Sequence, residues 1–332
     1  MSRRAVLTAL LALPLLYACG EKKPMLGQEE PVMKPKRLQK RIEAIAVRAQ
    51  PATLGVAVED LTTRQMWVFN GDRAFPLGAA ARVPILAAAM AETAGGRLSP
   101  ETTMPVRDVD LSPPPSAVAD AWPERQVWSV VDLEVLAEHG DATALDLLTK
   151  KIGGPGAVGG WLDVKRIEGV RVDRYQRQVR TEALGLASFR ADWKGEAAWN
   201  KAIAAVPPEQ RARAAHELQT DHRDTATPVG MLRLLEAFMQ RELGVSPDAD
   251  RLLGHDPGHL ALALPKGAKL AQAAGSARAD QGFTPSSHAL AVVELKGGRR
   301  VAFVVFLTGS TADAATRERL IAEVGKTVLE EF

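Results

Sequence analysis

The sequence predicts an α/β (α+β) fold of two lobes, in which an antiparallel sheet flanked by terminal helices receives an inserted all-helical lobe. Three observations predict it. Strand patterns occur near both ends of the 332-residue chain, the stretch between them has helical or irregular periodicity, and an amphipathic helix flanks the strands at each end. Strands from both ends with helices between them are typical of one sheet into which a helical lobe is inserted.

The N-terminus has the pattern of a secretory signal peptide. Arg3 and Arg4 give a short positive region, and Ala5 to Ala18 form an apolar stretch of the length found in such signals. That stretch is too short to span a bilayer comfortably. We expect residues 1–18 to be removed and the protein to be exported.

Cys19 follows in the sequence Leu-Tyr-Ala-Cys-Gly, which resembles the bacterial lipoprotein box, where cleavage falls before a cysteine that then carries a lipid. It is the only cysteine in the chain, so no intrachain disulfide can use it, whereas acylation gives it a role. Because Tyr17 departs from the small or aliphatic residue usual in the box, an ordinary signal peptide followed by a thiol without a role stays open. The prediction is a lipoprotein anchored in a membrane through Cys19 and facing the periplasm or cell envelope. Residues 19–37, which are polar and lack periodicity, would be its tether.

The charge of the chain bears on its partners. Removing Arg3 and Arg4 with the signal takes the formal charge from +2 to 0, so the mature chain has no net basic field. This argues against a nucleic-acid partner. The partners expected are the membrane and an envelope protein or peptidoglycan-related ligand, and no cofactor is predicted.

The first part of the α/β lobe is predicted over residues 38–108. Apolar residues at helical spacing predict an amphipathic helix, and two strand patterns joined by a polar turn follow it. An alanine-rich helix then ends at two glycines. The first helix buries Leu38, Ile42, Ile45 and Ala49, the strands are Thr53 to Glu59 and Met66 to Asn70, and the alanine-rich helix is Ala79 to Thr93.

A proline-rich stretch from Asp108 to Pro123 marks the start of the helical lobe, which is predicted over residues 109–222 with no convincing strand. The α/β lobe resumes over residues 223–332, with a glycine hairpin turn and a last amphipathic helix. The late strands are Lys269 to Ala274, His288 to Leu295 and Arg300 to Thr308, and the last helix carries Leu320, Val324 and Val328.

Five stretches of the chain, taken in order, carry a family resemblance. They are GVAVEDLTTRQMWVFNGDRAFPL, LLTKKIGGPGAV, RVDRY, DTATP and LPKGAKLAQAAGS. Across most of residues 38–332 the sequence resembles the class A β-lactamases and their penicillin-recognising serine hydrolase relatives. The resemblance implies their two-lobe fold, and it implies catalytic positions that the family fills with S-x-x-K, S-D-N and K-T-G motifs and an Ω-loop glutamate.

The first motif has lost its nucleophile. In the stretch FPLGAAAR, Ala79 stands where the family has its serine and Arg82 where it has its lysine. A methyl group cannot form an acyl-enzyme. A guanidinium stays protonated at physiological pH, so Arg82 cannot serve as a general base.

The second motif retains only its aspartate. Counting back from Gly153 places Gly140, Asp141 and Ala142 at the S-D-N positions, so the hydroxyl and the amide are lost. A shift of the alignment by one residue would bring His139 into the site instead. Glu138 beside it makes this the one cluster with acid and base character near the expected cleft, although a capped helix end is the more ordinary interpretation.

On the Ω loop, Gln176 takes the place of the deacylating glutamate and Arg180 that of its companion asparagine. A carboxamide can orient water but cannot take its proton. The resemblance also implies an ion pair between Arg174 and Asp224 that closes the loop.

An insertion at about residues 181–222 carries two helix-like runs and the exposed-looking Trp193 and Trp199. We expect it to cap the old substrate entrance, and a surface elaboration is the alternative.

The third motif has lost the cation and the hydroxyl that would recognise a substrate carboxylate. Ala273, Ala274 and Gly275 replace K-T-G, and Gly275 with Ser276 keeps only the backbone. No S-x-x-K, K-[ST]-G or G-x-S-x-G occurs elsewhere in the sequence. Loss of all four elements on a retained scaffold predicts a degenerate, catalytically inactive member.

Two functional hypotheses follow from this pattern. The first is a non-catalytic binding or scaffolding lipoprotein, and the alternative is a divergent hydrolase acting on a β-lactam or peptidoglycan peptide through unidentified residues.

His255 and His259 have i, i+4 spacing, but the proline and glycine between them oppose a helix, so no metal site is predicted. The candidate ligand-contacting residues are Arg82, His139, Asp141, Gln176, Arg180 and Ser276.

Overall fold

Nine strands and eleven α-helices make up the part of the chain that the computed structural model describes, namely residues 33–245, 252–254 and 258–332. The strands are β1 (Thr53–Asp60), β2 (Met66–Phe69), β3 (Phe75–Pro76), β4 (Thr103–Pro105), β5 (Val127–Ser129), β6 (Thr225–Ala226), β7 (Lys269–Ser276), β8 (Thr284–Glu294) and β9 (Arg300–Ser310). The helices are α1 (Pro35–Ala49), α2 (Arg82–Ala94), α3 (Ala117–Ala121), α4 (Val130–Glu138), α5 (Ala142–Lys151), α6 (Pro155–Val164), α7 (Gln176–Glu182), α8 (Glu196–Ala204), α9 (Pro208–Thr220), α10 (Pro228–Met239) and α11 (Ala314–Leu329).

A five-stranded antiparallel sheet with the order β2-β1-β9-β8-β7 forms the α/β lobe. Strand β1 from the N-terminal part pairs with β9 from the C-terminal part, with Val56 opposite Val305. The predicted sheet built from both ends of the chain is therefore confirmed. Its edge strand β7 and the neighbouring β8 carry residues of the site described below.

The two faces of this sheet pack against different helices. In β9, Phe303 and Val305 belong to a buried cluster with α1 and α11, whereas Val304 and Phe306 belong to the cluster that extends into the helical lobe. This alternation follows from the two-residue period of a strand. Because β9 is covered on both faces, its sequence is almost continuously apolar, and the period-2 pattern of a half-exposed strand is absent from it.

The helical lobe contains one short ribbon that the sequence did not predict. Strand β5 pairs with β4 over three residues, with Met104 opposite Trp128. The prediction of no strand between residues 108 and 222 is therefore wrong at this point. Three residues are too few to show an alternating pattern, which is why the sequence gives no signal for β5.

Three predicted boundaries shift in the structure. The alanine-rich helix is preceded by a 3₁₀ turn over Gly78–Ala81, and the regular helix begins at Arg82. Strand β8 begins at Thr284, four residues before the predicted start, and α1 begins at Pro35, within the predicted tether. In the described ranges, no helix has both the length and the apolar character needed to cross a bilayer.

Candidate functional site

A cavity of about 510 Å³, partly open to solvent, is lined by elements from both lobes and by the insertion. The 3₁₀ turn before α2, the N-terminal part of α7, strand β7 and helices α8 and α9 all contribute to its wall. This size lies within the range of small-molecule sites. Eight of the family positions and candidate contacts named from the sequence line it: Ala79, Arg82, His139, Gly140, Gln176, Arg180, Ala274 and Ser276.

Ala79 lies at the cavity wall, where strand β7 and the 3₁₀ turn before α2 come close together. A Cβ added at Gly275 would lie 3.3 Å from the Ala79 Cβ, so β7 runs directly against this residue. Gly78 has a φ of +50° and its hydrogen faces the Ser286 side chain, since a Cβ there would lie 2.3 Å from Ser286 Oγ. The turn thus presents a methyl group at a fixed place in the cavity, and this group has no nucleophilic atom.

Arg82 lies one turn further along and also faces the cavity. Its Nη1 donates to the backbone oxygen of Leu252 at 3.1 Å. Burial lowers the pKa of this guanidinium, and the negative charge of Glu138 opposes that effect. Arg82 remains a cation at neutral pH, because a guanidinium titrates far above it.

The start of α7 is fixed by a buried carboxylate. Asp146 accepts hydrogen bonds from the backbone N–H groups of Gln176 and Arg177 at 2.5 and 2.8 Å, and from Ser112 Oγ at 2.8 Å. Burial raises the pKa of Asp146 to about 6, although the three hydrogen bonds oppose the shift. A carboxylate at a helix N-terminus is favourable to the orphan N–H groups there. Asp146 therefore determines where Gln176 and the rest of α7 lie.

Gln176 and Arg180 are four residues apart on α7 and both line the cavity. Gln176 is only 3% exposed, and its Nε2 has no hydrogen-bond acceptor among the described residues. Arg180 donates weakly to the backbone oxygens of Pro113 and Gly140, at 3.4 and 3.3 Å. Burial lowers the pKa of Arg180, with Asp146 and Asp141 opposing. This helix face thus presents one amide and one cation to the cavity.

The ion pair between Arg174 and Asp224 is present and holds the two ends of the Ω loop together. Arg174 Nε donates to Asp224 Oδ2 at 2.6 Å, and the two side chains are 5% and 2% exposed. Arg174 also pairs with Glu182 and Asp221, at 2.5 and 3.1 Å. The chain entering α7 is consequently tied to the chain entering β6.

The second-motif segment divides between cavity wall and helix cap. His139 and Gly140 line the cavity, whereas Asp141 and the fully buried Ala142 do not. Asp141 instead caps α5, accepting from the N–H of Ala144 at 2.9 Å, and it also accepts from Ser116 Oγ and the N–H of Val118. Asp141 was expected to contact a ligand; in the structure it lies outside the cavity lining and its oxygens accept hydrogen bonds from buried donors.

The third-motif segment shows the alternation of an edge strand. Ala274 and Ser276 face the cavity, whereas Ala273 is fully buried on the opposite side and Gly275 packs on Ala79. Ser276 Oγ donates to Ser287 Oγ at 2.8 Å. Ser276 carries the one hydroxyl among the described residues that line the cavity.

The insertion forms part of the cavity wall and is bonded to the sheet edge. Trp199, Ala215 and Leu218 line the cavity. Trp199 is 2% exposed and packs on Phe189 and Trp193, while Trp193 itself is partly buried. The expectation of two exposed tryptophans is wrong, since these three aromatic rings pack on one another as part of the buried cluster that extends through the helical lobe.

Three hydrogen-bonded contacts join this insertion to the turn between β7 and β8. Arg278 Nη2 donates to Asn200 Oδ1 at 2.7 Å, Gln281 Nε2 donates to the Pro208 oxygen at 2.7 Å, and Arg211 pairs with Asp280 at 3.0 Å. We name these contacts the clasp.

Sequence reasoning missed a buried histidine behind the cavity wall. His288 on β8 lies opposite Gly275, is 1% exposed, and neither ring nitrogen has a hydrogen-bond partner among the described residues. Burial lowers its pKa to about 3, and the charges of Arg82 and His259 act in the same direction. Within the described ranges no group of three or more His, Cys, Asp or Glu side chains is placed to hold a metal ion, and His255 lies outside those ranges.

Comparisons with known proteins place this arrangement in a family. The chain is 21% identical over 290 residues to the beta-lactamase VEB-1 of Pseudomonas aeruginosa, covering 84% of this chain and 85% of that protein. It is 23% identical over 287 residues to a beta-lactamase of Rhodobacter capsulatus, covering 84% and 83%. Among solved structures, an ancestral class A beta-lactamase, GNCA, superposes with a TM-score of 0.66 at 24% identity, covering 89% of this chain and all of that one.

These structural likenesses establish the class A beta-lactamase fold. The model of the beta-lactamase enzyme family matches residues 37–332. The match extends from the first helix to the last residue, and the chain therefore belongs to the beta-lactamase enzyme family.

Proposed function

We propose that this chain is a non-catalytic binding protein of the beta-lactamase family, anchored to a membrane of the cell envelope through lipid on Cys19, and that its cavity holds a ligand reversibly. The observation that carries the proposal is the Ala79 methyl group at the position where the family has its nucleophile. Without a nucleophilic atom there, the acyl-enzyme route is closed.

The other residues around Ala79 support the same conclusion. Arg82 is a permanent cation and Gln176 is an amide, so neither can accept a proton as a general base. Ser276, which has the hydroxyl at the cavity wall, already donates to Ser287. Activating a serine requires an adjacent base, and the residue opposite Ser276 in the ladder is Ser287, which is not one.

A second candidate function is hydrolysis by a water molecule that a side chain activates directly. Glu138 and His139 favour it, because a carboxylate and an imidazole both line the cavity. His139 Nδ1 lies 2.9 Å from the backbone oxygen of Val135, which fixes the ring at the end of α4. Such a reaction would release product without a covalent enzyme intermediate.

The test combines turnover with intact mass. The purified domain, mixed with a chromogenic cephalosporin, is expected to show no hydrolysis above buffer, and penicillin is expected to leave its mass unchanged. A covalent penicillin adduct would overturn the proposal. Turnover that survives repurification and disappears in His139→Ala would establish the second candidate, with Arg213→Met, on an exposed face of α9, as the control for a surface substitution.

A further inference from the structure

We infer that the ligand of this cavity is a small amphiphilic carboxylate, whose head is held by Arg82 and Arg180 and whose apolar body contacts the insertion. The inference rests on the proposed function, since it names the ligand class of the same cavity. It assigns the anion site to two arginines at positions where the family has other residues.

The first step is the state of the two guanidinium groups. Neither Arg82 nor Arg180 forms an ion pair within the described residues, and the hydrogen bonds of both go to backbone oxygens. Arg174 shows the alternative in the same molecule, because its buried guanidinium meets three carboxylates. Arg82 and Arg180 are partly buried, and withdrawing a cation from water without a counter-ion costs free energy. Two such cations on one cavity wall indicate that an anion completes the site.

The nearby carboxylates do not fill this role. Glu138 attracts Arg82 without forming an ion pair with it. Asp146 and Asp141 attract Arg180, but the oxygens of both accept hydrogen bonds from other donors. Three carboxylates, those of Glu138, Glu196 and Asp280, also line the cavity. Their negative charges disfavour a multiply charged anion, so a monoanion fits the site better.

A third donor lies beside Arg180. The Nε2 of Gln176 is buried without an acceptor in the described chain, and Gln176 lies one helical turn from Arg180. Buried polar groups nearly always have a partner. An oxygen of the ligand head would satisfy this amide together with the guanidinium of Arg180.

The remainder of the wall is suited to an apolar body. Val179, Leu184, Trp199, Ala215 and Leu218 line the cavity, and the last four come from the insertion; Glu196, Arg278 and Asp280 are the charged residues in this part of the wall. Contact of a ligand chain with these side chains removes apolar surface from water. The combination of a cationic end and an apolar wall selects an amphiphile over a sugar or a free inorganic anion.

The experiment compares probes that share one body and differ in the head. Titration calorimetry with decanoate, decyl phosphate and 1-decanol, each below its aggregation limit, is paired with tryptophan fluorescence, in which the Trp199 contribution is identified by comparison with Trp199→Phe because the chain has six tryptophans. Decanoate is expected to bind at least about tenfold more tightly than 1-decanol, because charge-assisted hydrogen bonds are lost with the alcohol. Equal binding of 1-decanol, or no binding of decanoate, would overturn the inference. Tighter binding of decyl phosphate would overturn the carboxylate assignment.

Variants then identify the residues that bind the carboxylate head of the probe. Arg82→Met and Arg180→Met should each weaken decanoate binding about ten- to a hundredfold, whereas Arg213→Met, which removes a charge from the outer surface of α9, should leave it unchanged. Thermal unfolding checks that each variant is folded. The comparison of the three probes on the wild type does not depend on the variants. Unchanged affinity in both folded arginine variants would refute the site. None of these outcomes depends on turnover or penicillin adducts, so the proposed function can fail or stand separately.

Discussion

The buried ion pair that closes the Ω loop gives the sharpest prediction of stability. In Arg174→Met, Asp224 loses its guanidinium at 2.6 Å but keeps the backbone N–H groups of Asp173 and Arg174, at 2.8 and 3.0 Å. Breaking a buried pair by removing one partner costs about 3–5 kcal/mol. Because the two N–H bonds remain, we expect the lower end, about 3 kcal/mol.

Urea unfolding, followed by circular dichroism and tryptophan fluorescence, measures this loss. The matched control is Arg171→Met in the same loop, where the Arg171 side chain is 62% exposed and pairs with Asp173 at 3.0 Å. An exposed pair is worth about 0–1 kcal/mol, so the control should change little. If Arg174→Met cost no more than Arg171→Met, the buried pair would not be what holds the loop. The variant should also weaken decanoate binding, since Gln176 begins the helix that follows.

Four further predictions concern chemistry, acid stability, packing and anchoring. Ala79→Ser should not restore cephalosporin turnover, because no base is in place at Arg82, and loss of single members of a catalytic unit already costs about a millionfold; a rate above buffer would contradict this. The contribution of His288 to stability should be lost as pH drops from 6.5 towards 3, because the unfolded chain binds a proton that this buried residue, with its pKa of about 3, does not. Asp146, whose pKa is raised to about 6, acts in the opposite direction, so the test is the difference between wild type and His288→Leu in urea midpoints across pH, and equal pH dependence of the two would contradict the prediction. Trp199→Ala should lower the free energy of unfolding by about 3–5 kcal/mol and leave a gap in the cavity wall. A smaller loss would mean that Phe189 and Trp193 move to fill the space. Wild type should incorporate labelled fatty acid and partition into detergent, whereas Cys19→Ala should not, and equal labelling of both would exclude this anchor.

The sheet was predictable because its strands carry a local signal. The apolar runs of β1 and β9 and the hairpin turn between β8 and β9 are visible in neighbouring residues, and the structure adds mainly their order. The family positions Ala79 and Gln176 were reached by spacing from motifs, and both line the cavity.

Other features depend on partners far away in the sequence. Asp141 occupies a family motif position in the sequence, and only the structure shows that Ser116 and Val118 donate hydrogen bonds to it. The burial of Trp199 comes from Phe189 and Trp193, which lie outside its own helix. A periodicity argument cannot find such contacts, because it reports one face of one helix and not what covers it.

The clasp has a kinetic consequence. Its three contacts join α8 and α9 to the turn after β7, and the Arg211 and Asp280 side chains are 14% and 16% exposed. If a ligand enters beneath the insertion, these contacts would have to open first. Association should therefore saturate at an opening rate as ligand concentration rises, and Asp280→Asn should raise that plateau in stopped-flow traces. In a protein gated in this way, the insertion would set the rate at which the ligand is released.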